Sequence, residues 1–208
     1  MPSLGQVFLL KKTFRAGERD RDHVRQKEED YLEKIQRIPV DRLVFIDECG
    51  INLSMTRAHA RSSLGTRVHA TRPKKTSNIS LVGAIRNDGM SALYPYDGPV
   101  DGERFLSFLD DHLIPTLKDG DVVVMDNLRV HHIPDVEKRL LSVGASPLYL
   151  PPYSPERNPI EEAWSQIKRS FEAAEARTIP EMVDAMKHAR CIVTPQNAEG
   201  YFAHAGYF

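Results

Sequence analysis

The stretch Leu150–Lys168, LPPYSPERNPIEEAWSQIK, constrains this chain more than any other. Pro151, Pro152 and Pro155 fix φ and push the residues before them into extended conformations. Asn158 suits an N-cap, Pro159 is tolerated in a first helical turn, and Glu161 then falls at the third helical position. Behind it Ile160, Trp164, Ile167 and Phe171 recur at helical spacing and make an apolar stripe. The segment reads as a stiff loop that delivers a helix start, with a carboxylate one position off the buried face. A first-turn acid also serves a helix simply as a capping and dipole partner, worth ~1 kcal/mol. The weight of Glu161 therefore depends on what stands near it.

With 208 residues the chain has room for one well-cored domain and is too short for two comfortable ones. Its net charge of −1 means that any role with nucleic acid must rest on local patches. Cys49 and Cys191 lie far apart with no metal-ligand spacing, which fits a reducing cytoplasm. No apolar run approaches the ~20 residues of a membrane span. The opening MPSLGQVFLLKK has too short an apolar run for a signal peptide. A cytoplasmic protein with no membrane partner is expected. Residues 1–40 are polar and highly charged. From about Asp20 to Arg37 the pattern suits a solvated helix docking through Val24, Tyr31, Leu32 and Ile35. The cluster Lys11, Lys12, Arg15 and Arg19 could touch phosphates or simply be solvated.

Leu43–Ile46 (LVFI) and Val122–Met125 (VVVM) are continuous apolar runs ending in Asp47 and Asp126, as strands buried on both faces look where they emerge. Asn78–Ile85 and Met90–Tyr96 flank Asp88-Gly89, a strong hairpin signal. Asp101–Leu117 is an amphipathic helix, Ile133–Val143 a helix stopped by Gly144, and Pro147–Leu150 a short strand. Ile179–Arg190 makes another helix, and Thr194-Pro195 starts a last short one. This order predicts an α/β fold, a mixed five-stranded sheet flanked by helices. Ligands gather at the ends of parallel strands in such sheets.

If the strands ending in Asp47 and Asp126 lie parallel and adjacent, both carboxylates emerge at one edge of the sheet. Glu161 would arrive there from the helix that packs back onto it. Three converging carboxylates repel strongly unless a cation neutralises them. Hard oxygen ligands select Mg2+ or Mn2+. Two such ions about 3.5–4 Å apart serve an in-line phosphoryl displacement.

The blocks FIDECG, VVVMDNLRVHH and LPPYSPERNPIEEAW resemble the signature blocks of the DDE transposases, above all the bacterial insertion-sequence branch of the Tc/mariner superfamily. The 34 residues between Asp126 and Glu161 match the interval of that branch, and Ala205-Gly206-Tyr207 also fits the group. The resemblance implies an RNase H-like DDE catalytic domain over residues 41–208, behind a charged, partly helical segment over residues 1–40. It implies Asp47, Asp126 and Glu161 as the catalytic and metal-binding triad, holding two Mg2+ or Mn2+ ions. It further implies DNA cleavage by water at the element's end, then strand transfer by attack of the freed 3′-hydroxyl on target DNA. The implied partners are double-stranded DNA, as transposon ends and target, and a second copy of the chain in a homodimer. The implied setting is the bacterial cytoplasm at the nucleoid.

Neighbouring residues have several readings. Glu48 and Glu162 adjoin the triad but point elsewhere. His131 and His132 could meet a phosphate or protonate a leaving group, or serve in capping and packing. Asn127 could complete the metal shell or orient a turn. Trp164, on the apolar stripe, reads as core rather than as a DNA-stacking platform. Arg67, Arg72, Lys74 and Lys75 are the foremost phosphate contacts expected, with Lys168 and Arg169 second. Relatives carry helix-turn-helix modules ahead of the catalytic domain. The roughly 40 residues before the first strand leave no room for them, so the chain reads as a catalytic domain served by a separate helix-turn-helix module or frame-shifted partner. Competing readings are a structure-specific nuclease on the same fold and a truncated or domesticated non-catalytic subunit that pairs with a full-length transposase. Cys49 and Arg157 stand where the group often has a small hydroxyl residue and an apolar one.

Overall fold

The computed structural model describes residues 22–52, 54–55, 62–66, 69, 78–176 and 178–208. Five strands, β1 (Leu43–Asn52), β2 (Asn78–Arg86), β3 (Gly89–Asp97), β4 (Val122–Met125) and β5 (Ser146–Tyr149), form one sheet in the order β3-β2-β1-β4-β5. Strand β2 runs antiparallel to both of its neighbours, β3 and β1, whereas β1, β4 and β5 are parallel. Helices α1 (Asp22–Ile35), α2 (Gly102–Phe108), α3 (Pro134–Ser142), α4 (Ile160–Ala174), α5 (Ile179–Ile192) and α6 (Pro195–Ala205) cover it. This is the expected mixed five-stranded sheet flanked by helices.

Strand alternation divides the core into two layers, because successive side chains leave a strand on opposite faces. Leu43, Phe45, Cys49 and Ile51 of β1 pack with Trp164, Ile167 and Phe171 of α4, with Tyr31 of α1 and with Phe202 of α6. Val44 and Ile46 pack on the other face with Phe105 and Phe108 of α2 and with Val136 and Leu140 of α3. The apolar stripe read from the sequence of α4 is therefore its buried face. The two-residue turn Asn87-Asp88 closes β2 onto β3, pairing Arg86 with Gly89. Gly89 takes φ +132, which only glycine adopts without strain.

Two expectations need correcting. Strand β1 does not end at Ile46 but continues to Asn52, because β2 pairs with it all the way to Asn52↔Asn78 and satisfies its backbone groups. Asp47 consequently sits within a strand rather than just beyond one. The segment Asp101–Leu117 is not one regular helix. After α2 the winding loosens to a π-turn over Leu109–Leu113 and tightens to a 3-10 turn over Ile114–Thr116, ahead of extended Leu117. Pro115, which brings no N–H to a ladder, sits in that last turn.

Candidate active site

The parallel ladder pairs Leu43 with Val122 and Phe45 with Val124. The same register carried two residues onward brings Asp47 level with Asp126, the first residue past β4. By the alternation of β1, Asp47 points to the α4 face, where it is 9% exposed. Its Oδ1 accepts the Glu48 backbone N–H at 2.8 Å. Its Oδ2 accepts the Asn158 amide at 3.4 Å and the Trp164 indole N–H at 3.3 Å. Burial, offset in part by the Glu48 N–H, pushes the Asp47 carboxyl up to about 7, and the charges of Glu161, Glu48 and Asp126 add to the rise.

Asp126 is held differently. Its Oδ1 accepts the Leu128 backbone N–H at 2.9 Å and lies 2.7 Å from His131 Nδ1. Although its partial burial opposes ionisation, these hydrogen bonds and the nearby histidines lower the carboxyl below its ordinary value. His131 has no exposed side-chain surface, and its Nε2 meets Glu48 Oε1 at 3.0 Å. Burial alone would favour the neutral ring, but the two carboxylates outweigh it and push His131 up to about 10. Of the roles open to His131, the geometry favours packing over phosphate contact: both ring nitrogens face carboxylates, and the ring packs 4.6 Å from Phe105. Glu48 does point away from Asp47, as strand alternation requires, and the far face is where His131 waits for it.

The loop before α4 is tied to β4. Leu150 N–H donates to Met125 O at 2.8 Å, and the Asn127 amide donates to Leu150 O at 2.6 Å. Asn127 therefore orients the loop, the second of its two expected roles. The Pro155–Arg157 turn leads to Asn158, whose backbone is extended (φ −108, ψ 100) and whose carbonyl accepts the Glu161 N–H at 3.1 Å. The N-cap of α4 is Pro159 rather than the expected Asn158, so Glu161 is the second helical residue, and the Asn158 side chain reaches Asp47 instead of the helix end. Glu161 stands exposed at the helix start. Asp47, Asp126, Asn127, Tyr153, Asn158 and Glu161 line one cleft of about 410 Å³.

The remaining expected contacts are scattered. His132 is exposed and stacks on Tyr149 at 4.2 Å. Lys168 is half-buried near the Cys49 thiol, which burial raises against the lowering effect of the lysine charge. Arg169 is exposed on α4. Arg67, Arg72, Lys74 and Lys75 lie outside the described residues, as do Lys11, Lys12, Arg15 and Arg19. Glu162 pairs with His204 rather than with the cleft acids. Arg157 finds its role at a junction: its guanidinium meets Glu28 of α1 at 3.3 Å, and its carbonyl accepts the Tyr207 hydroxyl.

Three carboxylates in one cleft are the donor type that a hard divalent cation selects. The Asp47 carboxyl, raised chiefly by burial and further by the charges of Glu161, Glu48 and Asp126, is one whose ionised form such a cation would favour. Asn158 Oδ1, buried beside Asp47 with no hydrogen-bond partner among the described residues, adds a neutral oxygen to the set. Among the described residues no three His, Cys, Asp or Glu side chains are drawn together as a ready-made cage. The donor chemistry fits a divalent cation, with the shell left open.

The family model of the DDE superfamily endonucleases matches residues 42–183. Among solved structures, a pre-cleavage Mos1 transpososome superposes with a TM-score of 0.65 at 17% identity, over 99% of this chain and 68% of that one. The Mos1 mariner paired-end complex with Mn gives 0.70 at 15% identity, over 97% and 64%. The Mos1 catalytic domain with Raltegravir and Mn gives 0.59 at 15% identity, over 94% of this chain and 99% of that one. The chain thus spans about two thirds of the longer Mos1 chains and nearly all of the isolated catalytic domain. No curated protein sequence matches it. Among the described residues no helix is long and apolar enough to cross a membrane. With its matching family model over residues 42–183, the chain belongs to the DDE superfamily endonucleases, and its five-stranded sheet has the RNase H-like fold of the Mos1 transposase catalytic domain.

Proposed function

We propose that this chain is a transposase catalytic domain that cuts DNA at an element's end and joins it to a target through Asp47, Asp126 and Glu161. The observation that carries the reading is the cleft shared by these three residues, which come from β1, the end of β4 and the start of α4. Its support from relatives is that Mos1 transposase is seen in paired-end complexes with a transposon end and with Mg or Mn. Asp47, Asp126 and Glu161 would hold the divalent cations. When bound, these ions activate the attacking oxygen and stabilise the leaving one.

The chain's own contribution is placement. Asp126 is fixed by His131 and by the Leu128 N–H, so its carboxylate keeps one orientation as DNA enters. The proline-stiffened loop, pinned through Asn127, sets the start of α4 and with it Glu161. A scissile phosphodiester lying over the cleft floor would be attacked in line, first by water and then, at the target, by the freed 3′-hydroxyl. The chain itself forms no covalent bond to DNA in this scheme. Partner DNA and a second copy of the chain would complete the assembly.

The test is nicking of a labelled duplex with Mn2+ by the wild type and by Asp126→Asn. The wild type is expected to nick, and the variant is expected to fold normally and lose all metal-dependent cleavage. Full activity in Asp126→Asn would remove the triad assignment. A wild type that folds and pairs but never cleaves, with any DNA offered, would favour the non-catalytic subunit.

A further inference from the structure

The hydrogen bonds to Asp47 among the described residues come from neutral N–H groups, and one of them is unusual in origin. Trp164, the single tryptophan of the chain, is 2% exposed on the core stripe of α4, yet its indole nitrogen lies 3.3 Å from Asp47 Oδ2. The ring can lie there because the residue paired with Asp47 across the β1–β2 ladder is Gly83. Cross-strand partners project from the same face of a sheet. A Cβ on Gly83 would come within 2.6 Å of Trp164 Cη2 and 3.1 Å of Met90 Cε. The space that a side chain at position 83 would fill is occupied by the indole.

We propose that Trp164, seated over Gly83, is a positioning residue that orients Asp47 toward the divalent cation. An indole N–H donates and carries no charge. It fixes the direction of the carboxylate without neutralising it, whereas a lysine or arginine at the same place would compete with the cation. With Glu48 N–H on Oδ1 and Trp164 and Asn158 on Oδ2, the carboxylate is held from three sides. Partners that orient a metal-binding side chain govern affinity as well as geometry. This inference rests on the metal-site reading above.

The test joins calorimetric Mn2+ titration of the wild type, Trp164→Phe and Gly83→Ala with the tryptophan emission of the wild type. Mn2+ bound at Asp47 is expected to quench Trp164, with the quenching reversed by excess Mg2+. Trp164→Phe, which keeps an aromatic ring in the core, is expected to melt cooperatively and to bind Mn2+ about tenfold to a hundredfold more weakly. Gly83→Ala is expected to weaken binding in the same direction. Wild-type affinity in a folded Trp164→Phe, or calorimetric binding that leaves the emission unchanged, overturns the proposal. If Trp164→Phe fails to fold, the emission result decides alone. A wild type silent in calorimetry refutes the metal site itself, which is a separate and recognisable outcome.

Discussion

His131 binds together two carboxylates from distant parts of the chain, with Nδ1 2.7 Å from Asp126 and Nε2 3.0 Å from Glu48. Removing the shared partner leaves two acids facing an apolar filler, and breaking a buried ion pair from one side is strongly destabilising. For His131→Leu the expected loss is about 3 kcal/mol, the lower end of the range for buried pairs because Asp126 is partly solvated. Urea denaturation measures it, and a loss within experimental error would show that the bridge contributes nothing. Glu48→Gln keeps an acceptor for Nε2 and should cost only about 1 kcal/mol. The sequence carried half of this. Alternation along β1 sends Glu48 to the face opposite Asp47, but which histidine of His131-His132 would meet it depends on the 3-10 turn Arg129–His132, whose pitch no local pattern announces.

The loop that carries Asn158 and leads to Glu161 of α4 is braced by elements from both ends of the chain. The Tyr207 hydroxyl donates to the Arg157 carbonyl, so its oxygen must accept from Tyr31 of α1, 2.8 Å away. The Tyr207 ring packs 4.9 Å from Phe45 beneath. Tyr31→Phe removes one bond of this relay and Tyr207→Phe removes both, for expected losses of about 1 and 2 kcal/mol. Because the bonds share an oxygen, the double variant should lose little more than Tyr207→Phe alone. Strictly additive losses in a denaturation cycle would refute the relay. Continuous or alternating apolar runs and their turn residues made most elements legible, including the hairpin at Asp88-Gly89 and the stripe of α4. Two of the errors have one cause, a tertiary partner overriding a local signal, whereas the segment after α2 leaves the regular helix at a π-turn and at Pro115. β2 carries β1 past Ile46, and Asp47 draws the Asn158 side chain away from the helix end it was suited to cap. The Tyr31–Tyr207 meeting spans 176 positions, a distance no periodicity reports.

The two ends of the sheet treat charge in opposite ways. Beside the starts of β1 and β4, Arg86 and Asp121 form a buried bidentate pair, and Lys118 N–H completes the shell of Asp121 at 2.6 Å. At the other end Asp47, Asp126 and Glu161 line one cleft, Glu48 lies just beneath it, and His131 answers two of the four. That the Asp47 and Asp126 strands are buried was legible from their apolar runs, whereas their adjacency was only a condition until the β1–β4 ladder met it. The imbalance was not, since it depends on where His131 and Trp164 finish. An unneutralised cluster of this kind opposes folding, and a cation that binds only the folded chain should repay it. Mn2+ at a hundredfold its dissociation constant adds about 2.7 kcal/mol to the stability of a folded state that alone binds it. For a domain of this size that corresponds to a rise in Tm of about 5–10 °C. Thermal melting with and without Mn2+ should show the rise in the wild type and none in Asp126→Asn. The variant itself should be about 1 kcal/mol less stable than the metal-free wild type, since Asn keeps an acceptor for His131 Nδ1 but loses the charge that faces it, as in Glu48→Gln. A rise of equal size in both proteins would place the cation elsewhere on the molecule and separate the stability of this fold from the acids in its cleft.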